Sequence, residues 1–252
     1  MTASSRLIRS PHRQTSSRSP ARGADGFTVE LLGARGVGKS TLARLLAAEL
    51  RAMELLAVPT FAPGVRAKLS RHLTTLGDRS RFIYSSLAWR PLSARDLKTF
   101  RKRYRRLRLR SVTPYQGRGV HLFDEGVFQL IMELQAKTAQ KDIRRIARRL
   151  STLLPSPDLV IVVEASDETI AARRRMRGNA RDLLRPEVAP WERAALTHTR
   201  TLLAELEAAG HQEVLVVTND EERSPAEIAS ELAEYFALRY FHRAPAALAA
   251  GD

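Results

Sequence analysis

The sequence predicts an α/β protein built around a mostly parallel sheet, and three observations carry that prediction. Short apolar runs alternate along the chain with longer stretches whose leucines recur at helical spacing. Runs such as Leu159–Val163 are apolar at consecutive positions and mostly β-branched, as strands covered on both faces are. Glycine-rich or acidic residues follow the apolar runs, at the strand ends where α/β folds open their ligand crevice.

The elements follow in order. Residues 1–24 are rich in Ser, Arg, Pro and Thr and are expected to form a disordered basic tail. The domain proper is expected over 25–240. A strand is expected at Phe27–Leu32, and a helix from Lys39 to Leu50 with Leu42, Leu45, Leu46 and Leu50 on one side. LLAV at 55–58 reads as a second strand, and 64–111 as a mainly helical region broken at Pro91. A short strand spans Val120–Phe123, and helices fill 127–153 with a break near Thr138. DLVIVVEAS at 158–166 is the clearest buried strand, and Ser166 is placed to cap the next helix. After a loop around 178–190, a helix over 190–209 stops at Gly210. EVLVVT at 213–218 forms a last strand, and Ser224-Pro225 opens a final helix through Leu238, leaving 241–252 frayed.

At 252 residues, such a domain can bury about 70% of its unfolded surface. There is no cysteine, so disulfide scaffolds and thiolate metal sites are excluded. No apolar run reaches membrane-spanning length and the basic N-terminus lacks an apolar core, so a soluble cytoplasmic protein is expected. The net charge of +15 is concentrated in two blocks: five arginines in residues 1–24, and nine Lys or Arg against Asp96 in residues 95–110. A uniformly basic nucleic-acid-binding surface is therefore not expected.

The segment FTVELLGARGVGKST contains Gly33-x-x-x-x-Gly38-Lys39-Ser40, the spacing of a phosphate loop (Walker A), between a strand and a helix. Successive backbone N–H groups of such a loop form a concave anion nest, and the helix N-terminus adds its unpaired donors. Gly33, Arg35, Gly36, Val37, Gly38, Lys39, Ser40 and Thr41 are accordingly the expected nucleotide-holding set. Lys39 would reach the β- and γ-phosphates, and Ser40 would offer its hydroxyl to Mg²⁺. Thr41 caps or packs nearby. Arg35 reads as a solvated side chain, with phosphate or a neighbouring subunit as the other reading.

Asp124, at the tip of VHLF, is the expected carboxylate for that metal, with an N-cap of the following helix as the plain alternative. Glu125 is a candidate for orienting or deprotonating the attacking group, against a simple first-turn helix charge. Beyond the buried strand, Arg173, Arg174, Arg175, Arg177 and Arg181 fall within a short span. Arg173, Arg177 and Arg181 are the candidates for a lid over about 173–188 that closes on the phosphates. A solvated helix face is the plain reading.

GARGVGKST at 33–41, LFDEG at 122–126, DLVIVVEASDETIAARRRMRG at 158–178 and EVLVVTND at 213–220 together resemble the thymidylate-kinase-like branch of the P-loop nucleoside and nucleotide kinases. The resemblance spans almost all of the chain after residue 26. It implies a P-loop NTPase fold with five parallel strands in order 2-3-1-4-5 and helices on both faces. It also implies ATP as phosphoryl donor, Mg²⁺, a lid after the fourth strand, and Asn219 near the adenine. Kinases of this type are commonly homodimers. Family members carry Asp-Arg or Glu-Arg-Ser after strand three, whereas this chain has Asp124-Glu125-Gly126. An acid there suits an uncharged hydroxyl acceptor better than a monophosphate. Arg79 and Arg81 are the candidates for supplying positive charge in its place.

The expected function is ATP- and Mg²⁺-dependent phosphoryl transfer to a small acceptor: a nucleoside, nucleotide or other hydroxyl compound. The rival is a nucleotide-hydrolysing switch or ATPase that uses Asp124-Glu125 and holds an anionic macromolecule through residues 95–110. TNDE at 218–221 lacks the lysine of a guanine-selecting signature.

Overall fold

The computed structural model describes residues 27–55, 119–124, 126–138, 157–178, 187–208 and 213–243. The expected tail, the helical region 64–111, the basic block 95–110, Arg79 and Arg81 lie outside the described residues. So do all but Leu55 of the expected second strand and half of the expected lid.

The described residues form nine elements: β1 (Phe27–Leu32), α1 (Lys39–Ala52), β2 (Val120–Phe123), α2 (Val127–Thr138), β3 (Leu159–Glu164), α3 (Asp167–Arg177), α4 (Pro190–Ala208), β4 (Glu213–Thr218) and α5 (Pro225–Arg243). The four strands form one parallel sheet in the order β2-β1-β3-β4. These neighbours are the ones the five-strand order requires of them. The fifth strand, and with it the full order, falls outside the described residues. The chain leaving α1 does reach the expected place: the Val120 N–H of β2 donates to the Leu55 carbonyl at 2.7 Å. Val120 faces away from β1 there, because the Gly119 carbonyl before it accepts from Phe27.

Side-chain alternation divides the core into two layers. Val29, Leu31, Leu159, Ile161, Val163, Leu215 and Val217 face α1 and α5, meeting Leu42, Leu46, Leu50, Leu232 and Phe236. Leu32, Val160 and Val162 face α2 and α4, meeting Phe128, Ile131, Leu202 and Leu203. Full burial of the three α1 leucines stabilises by about 1.5–3 kcal/mol each. Both faces of β1 and β3 are covered, which is why their sequences are apolar at nearly every position.

Helix ends follow local chemistry. Ser166 caps α3, its Oγ accepting the Thr169 N–H at 3.2 Å, and Gly178 ends the helix in the left-handed conformation at φ 64°. One expected boundary is corrected. The last helix runs past Leu238 to Arg243, across the start of the end expected to fray, because no glycine or proline interrupts it before Pro245.

Glu30 breaks the apolar run of β1. It is buried on the α2 side of the sheet, and its side chain sits under the N-terminus of that helix.

Candidate functional site

β1 ends at Leu32, and the chain turns through residues 33–38 before α1 begins at Lys39. Gly36 and Gly38 hold φ angles of 89° and 102°, a region that favours glycine. Gly38 is also pinned by space, since a Cβ there would come within 2.3 Å of Asn219 Nδ2. The loop lies at the C-terminal ends of the parallel strands, where α1 directs its N-terminal donors and positive dipole end.

The outward carbonyls of this loop are held by donors from several elements. Lys39 Nζ folds back to donate to Gly33 O at 2.5 Å and Ala34 O at 3.0 Å. Arg173 Nη1 and Asn219 Nδ2 both donate to Val37 O, at 3.0 and 2.7 Å. Arg174 Nε and Nη2 donate to Arg35 O at 3.0 and 2.7 Å. Arg174 is only 3% exposed; its charge is balanced by Glu192 at 3.1 Å, and its Nη1 donates to Glu187 O at 2.7 Å.

The first N–H of the loop is held from the other side of the sheet. Gly33 donates to the buried Gln129 Oε1 of α2 at 3.3 Å. Gln129 is in turn fixed by Glu30, whose carboxylate accepts its backbone N–H at 2.7 Å. Burial raises the Glu30 pKa to about 7, against the lowering effect of the N–H groups of residues 126–129 that point at it. Gly126 leaves room for this carboxyl, because a Cβ there would stand 2.2 Å from it.

A cleft of about 290 Å³ opens beside the loop, lined by Gly36, Gly38, Thr41, Arg173, Met176, Arg177, Asn219 and Pro225. It joins three segments distant in sequence: the β1–α1 loop with the first turn of α1, the last turns of α3, and the β4–α5 connection. Arg173 is half-buried, Arg177 is exposed, and Met176 is 80% exposed. Asn219 is 1% exposed, tied to β3 through its N–H to Glu164 O at 2.8 Å, and its Oδ1 has no hydrogen-bond partner among the described residues.

The structure thus brings Gly36, Gly38, Thr41, Arg173, Arg177 and Asn219 around one cleft, with Gly33, Val37 and Lys39 in the adjoining loop. Ser40 is exposed at the start of α1. Asp124 follows Phe123, the β2 partner of Glu30, and so stands at the same edge of the sheet as the loop. Glu125 and Arg181 lie outside the described residues. Arg35 is half-buried, and its carbonyl is drawn against α3. One reading is corrected. The N–H groups at the start of α2 are taken by Glu30, not Asp124, because Glu30 reaches them from within the sheet.

Sequence reasoning missed Glu30, Gln129 and Arg174. For Arg174 a signal existed: it lies four residues after the buried Ile170 and three after the buried Ala171, on the inward face of α3. Glu30 was visible as the one carboxylate inside an apolar strand.

Among the described residues, no cluster of three or more His, Cys, Asp or Glu is placed to hold a metal. Ser40, in the first turn of α1, and Asp124, just after β2, both stand at the C-terminal ends of the strands. Among the described residues, no helix is long and apolar enough to cross a membrane.

No protein-family model matches the chain, and none of the curated proteins matches it in sequence. Solved structures do match in shape. Deoxyadenosine kinase from M. mycoides, solved with products dCMP and a flexible dCDP bound, is 13% identical. The match covers 84% of this chain and 100% of that one, with a TM-score of 0.50. The same kinase with bound dATP matches at 13% identity over 84% and 99% of the two chains, TM-score 0.46. Thymidylate kinase from Candida albicans matches at 13% identity over 85% and 92%, TM-score 0.42. The likeness is one of fold: an α/β fold with a parallel sheet, shared with that deoxyadenosine kinase.

Proposed function

We propose that this chain is a P-loop kinase that moves the γ-phosphoryl group of ATP, with Mg²⁺, onto a small acceptor bearing a hydroxyl or phosphate. The observation that carries the reading is the loop of residues 33–38. Its carbonyls are held by Lys39, Arg173, Arg174 and Asn219, and it opens onto a cleft flanked by two arginines.

On this reading Lys39 exchanges its contacts with Gly33 O and Ala34 O for phosphate oxygens, and the loop N–H groups hold the β-phosphate. Arg173 and Arg177 line the cleft where charge spreads over the moving phosphoryl group, and they stabilise it electrostatically. Ser40 and Asp124 would hold Mg²⁺, which would supply positive charge to offset that of the phosphates. The cleft between Thr41, Met176, Asn219 and Pro225 takes the base of the donor. Glu125 orients the acceptor and Arg181 completes the closure, both as sequence-based assignments. A homodimer and a cytoplasmic location accompany the reading, and light scattering and cell fractionation test them.

The direct test is incubation with γ-labelled ATP and Mg²⁺ against a panel of deoxynucleosides, their monophosphates and other hydroxyl compounds. Label in one of these products supports the reading. Label released only as inorganic phosphate would transfer support to the hydrolysing switch.

A further inference from the structure

We propose that Arg174 is a positioning residue for the phosphate loop, aiming the Gly36 N–H by holding the opposite end of the same peptide unit. The inference rests on the reading of residues 33–40 as a nucleotide site and adds to it a residue that does not line the cleft.

An anion nest works only if successive N–H groups converge, and a trans peptide directs its C=O and N–H to opposite sides. No cis peptide occurs among the described residues. Whatever fixes the Arg35 carbonyl therefore fixes the direction of the Gly36 N–H. Two N–H groups of Arg174, at 3.0 and 2.7 Å, do this together. Glycine at position 36, at φ 89°, gives that peptide a low intrinsic barrier to turning over, so an external hold matters most here.

The geometry demands arginine. One planar fork places Nε and Nη2 on Arg35 O, Nη1 on Glu187 O at 2.7 Å, and Nη2 also on the Glu192 carboxylate at 3.1 Å. An ammonium on a flexible stem cannot span three acceptors in fixed directions. Buried to 3% exposure, the charge needs its carboxylate, and Glu192 is itself fixed by the Ala189 N–H at 3.3 Å. Gly36 packs on the same side chain, since a Cβ there would stand 3.0 Å from Arg174 Cγ. Glu187 O belongs to the backbone just before α4. The loop and the entry to α4 thus share one guanidinium.

The test compares full-length wild type with Arg174→Lys, Glu192→Gln and Arg175→Lys. Affinities are measured for ATP and for inorganic tripolyphosphate, both with Mg²⁺, and folding is followed by circular dichroism and thermal melting. Arg175 is exposed on the same helix and serves as the charge-matched control. Arg174→Lys is expected to weaken both probes roughly tenfold or more, the scale of one lost hydrogen bond to a charged group. Glu192→Gln is expected to weaken them about threefold, and Arg175→Lys to match wild type. Equal losses for ATP and tripolyphosphate place the effect at the loop rather than at the base. A folded Arg174→Lys with wild-type affinity overturns the inference, whatever its melting temperature. If that variant does not fold, unchanged affinity in Glu192→Gln overturns it instead. Wild type binding neither probe would defeat the nucleotide reading itself, a result separable from the other two.

Discussion

Glu30 and Gln129 meet across the interface of β1 and α2: the Glu30 carboxylate accepts the Gln129 backbone N–H at 2.7 Å, while the Gln129 side chain accepts the Gly33 N–H. A buried acid inside the sheet is thereby one residue removed from the phosphate loop. Burial raises its pKa from 4.5 to about 7, so the folded state holds a proton that the unfolded chain has already released in this range. The contribution of Glu30 to stability is fully present below pH 4.5 and is lost as pH rises through about 7. Glu30→Gln should flatten that part of the profile. Urea midpoints at pH 5 and pH 8 for both proteins check this, and an unchanged difference between them would remove the assignment.

Gly38→Ala is expected to abolish detectable nucleotide binding while leaving secondary structure intact. The new Cβ would require a φ of 102° and would displace Asn219 from Val37 O. Backbone strain of this kind costs about 1–3 kcal/mol. Titration with a fluorescent ATP analogue, alongside circular dichroism, reads both halves of the prediction.

Lys39→Ala should lower turnover by a factor of about 10²–10³, the scale of a lost transition-state contact. Its Nζ donates to the loop carbonyls of Gly33 and Ala34, and the melting temperature should move little. Initial rates at saturating ATP measure the first effect and a thermal melt the second.

Arg177→Ala is expected to reduce the rate of phosphoryl transfer without altering stability, because the side chain is exposed at the rim of the cleft. Turnover at saturating donor compared with the melting curve separates the two. A variant that melts early but turns over normally would contradict the assigned role.

Asp158→Ala should destabilise by about 1–3 kcal/mol with no change in ATP affinity. Asp158 Oδ2 accepts the Thr28 N–H at 2.7 Å and the Thr28 hydroxyl at 2.6 Å, and its own N–H donates back to Thr28 O at 2.9 Å. This link locks β3 against β1 at the sheet edge opposite the loop. Equilibrium unfolding in urea quantifies the loss.

The four described strands were legible because apolar, β-branched runs admit few alternatives, and the loop was legible because its glycines, lysine and serine stand at a fixed spacing. Asn219 was expected near the adenine through the family resemblance, and its bond to Val37 O was not foreseen, since nothing local in TND points 182 residues back. Arg174 escaped for a different reason. Five arginines in a row of similar residues look alike in one dimension, and only the packing of Ile170 and Ala171 turns one of them inward. Glu30 and Gln129 escaped because their meaning is joint. A carboxylate in a strand becomes a helix cap only when α2, 99 residues later, ends directly above it.

The first described strand, β1, is also an interior strand of its sheet, and one of its neighbours comes late. Thr28 waits for Asp158, 130 residues downstream, before that edge is closed. Until then β1 is covered only in part, by α1 that follows it and by β2. Contacts so far apart in sequence form slowly, because the intervening chain must close its loop first.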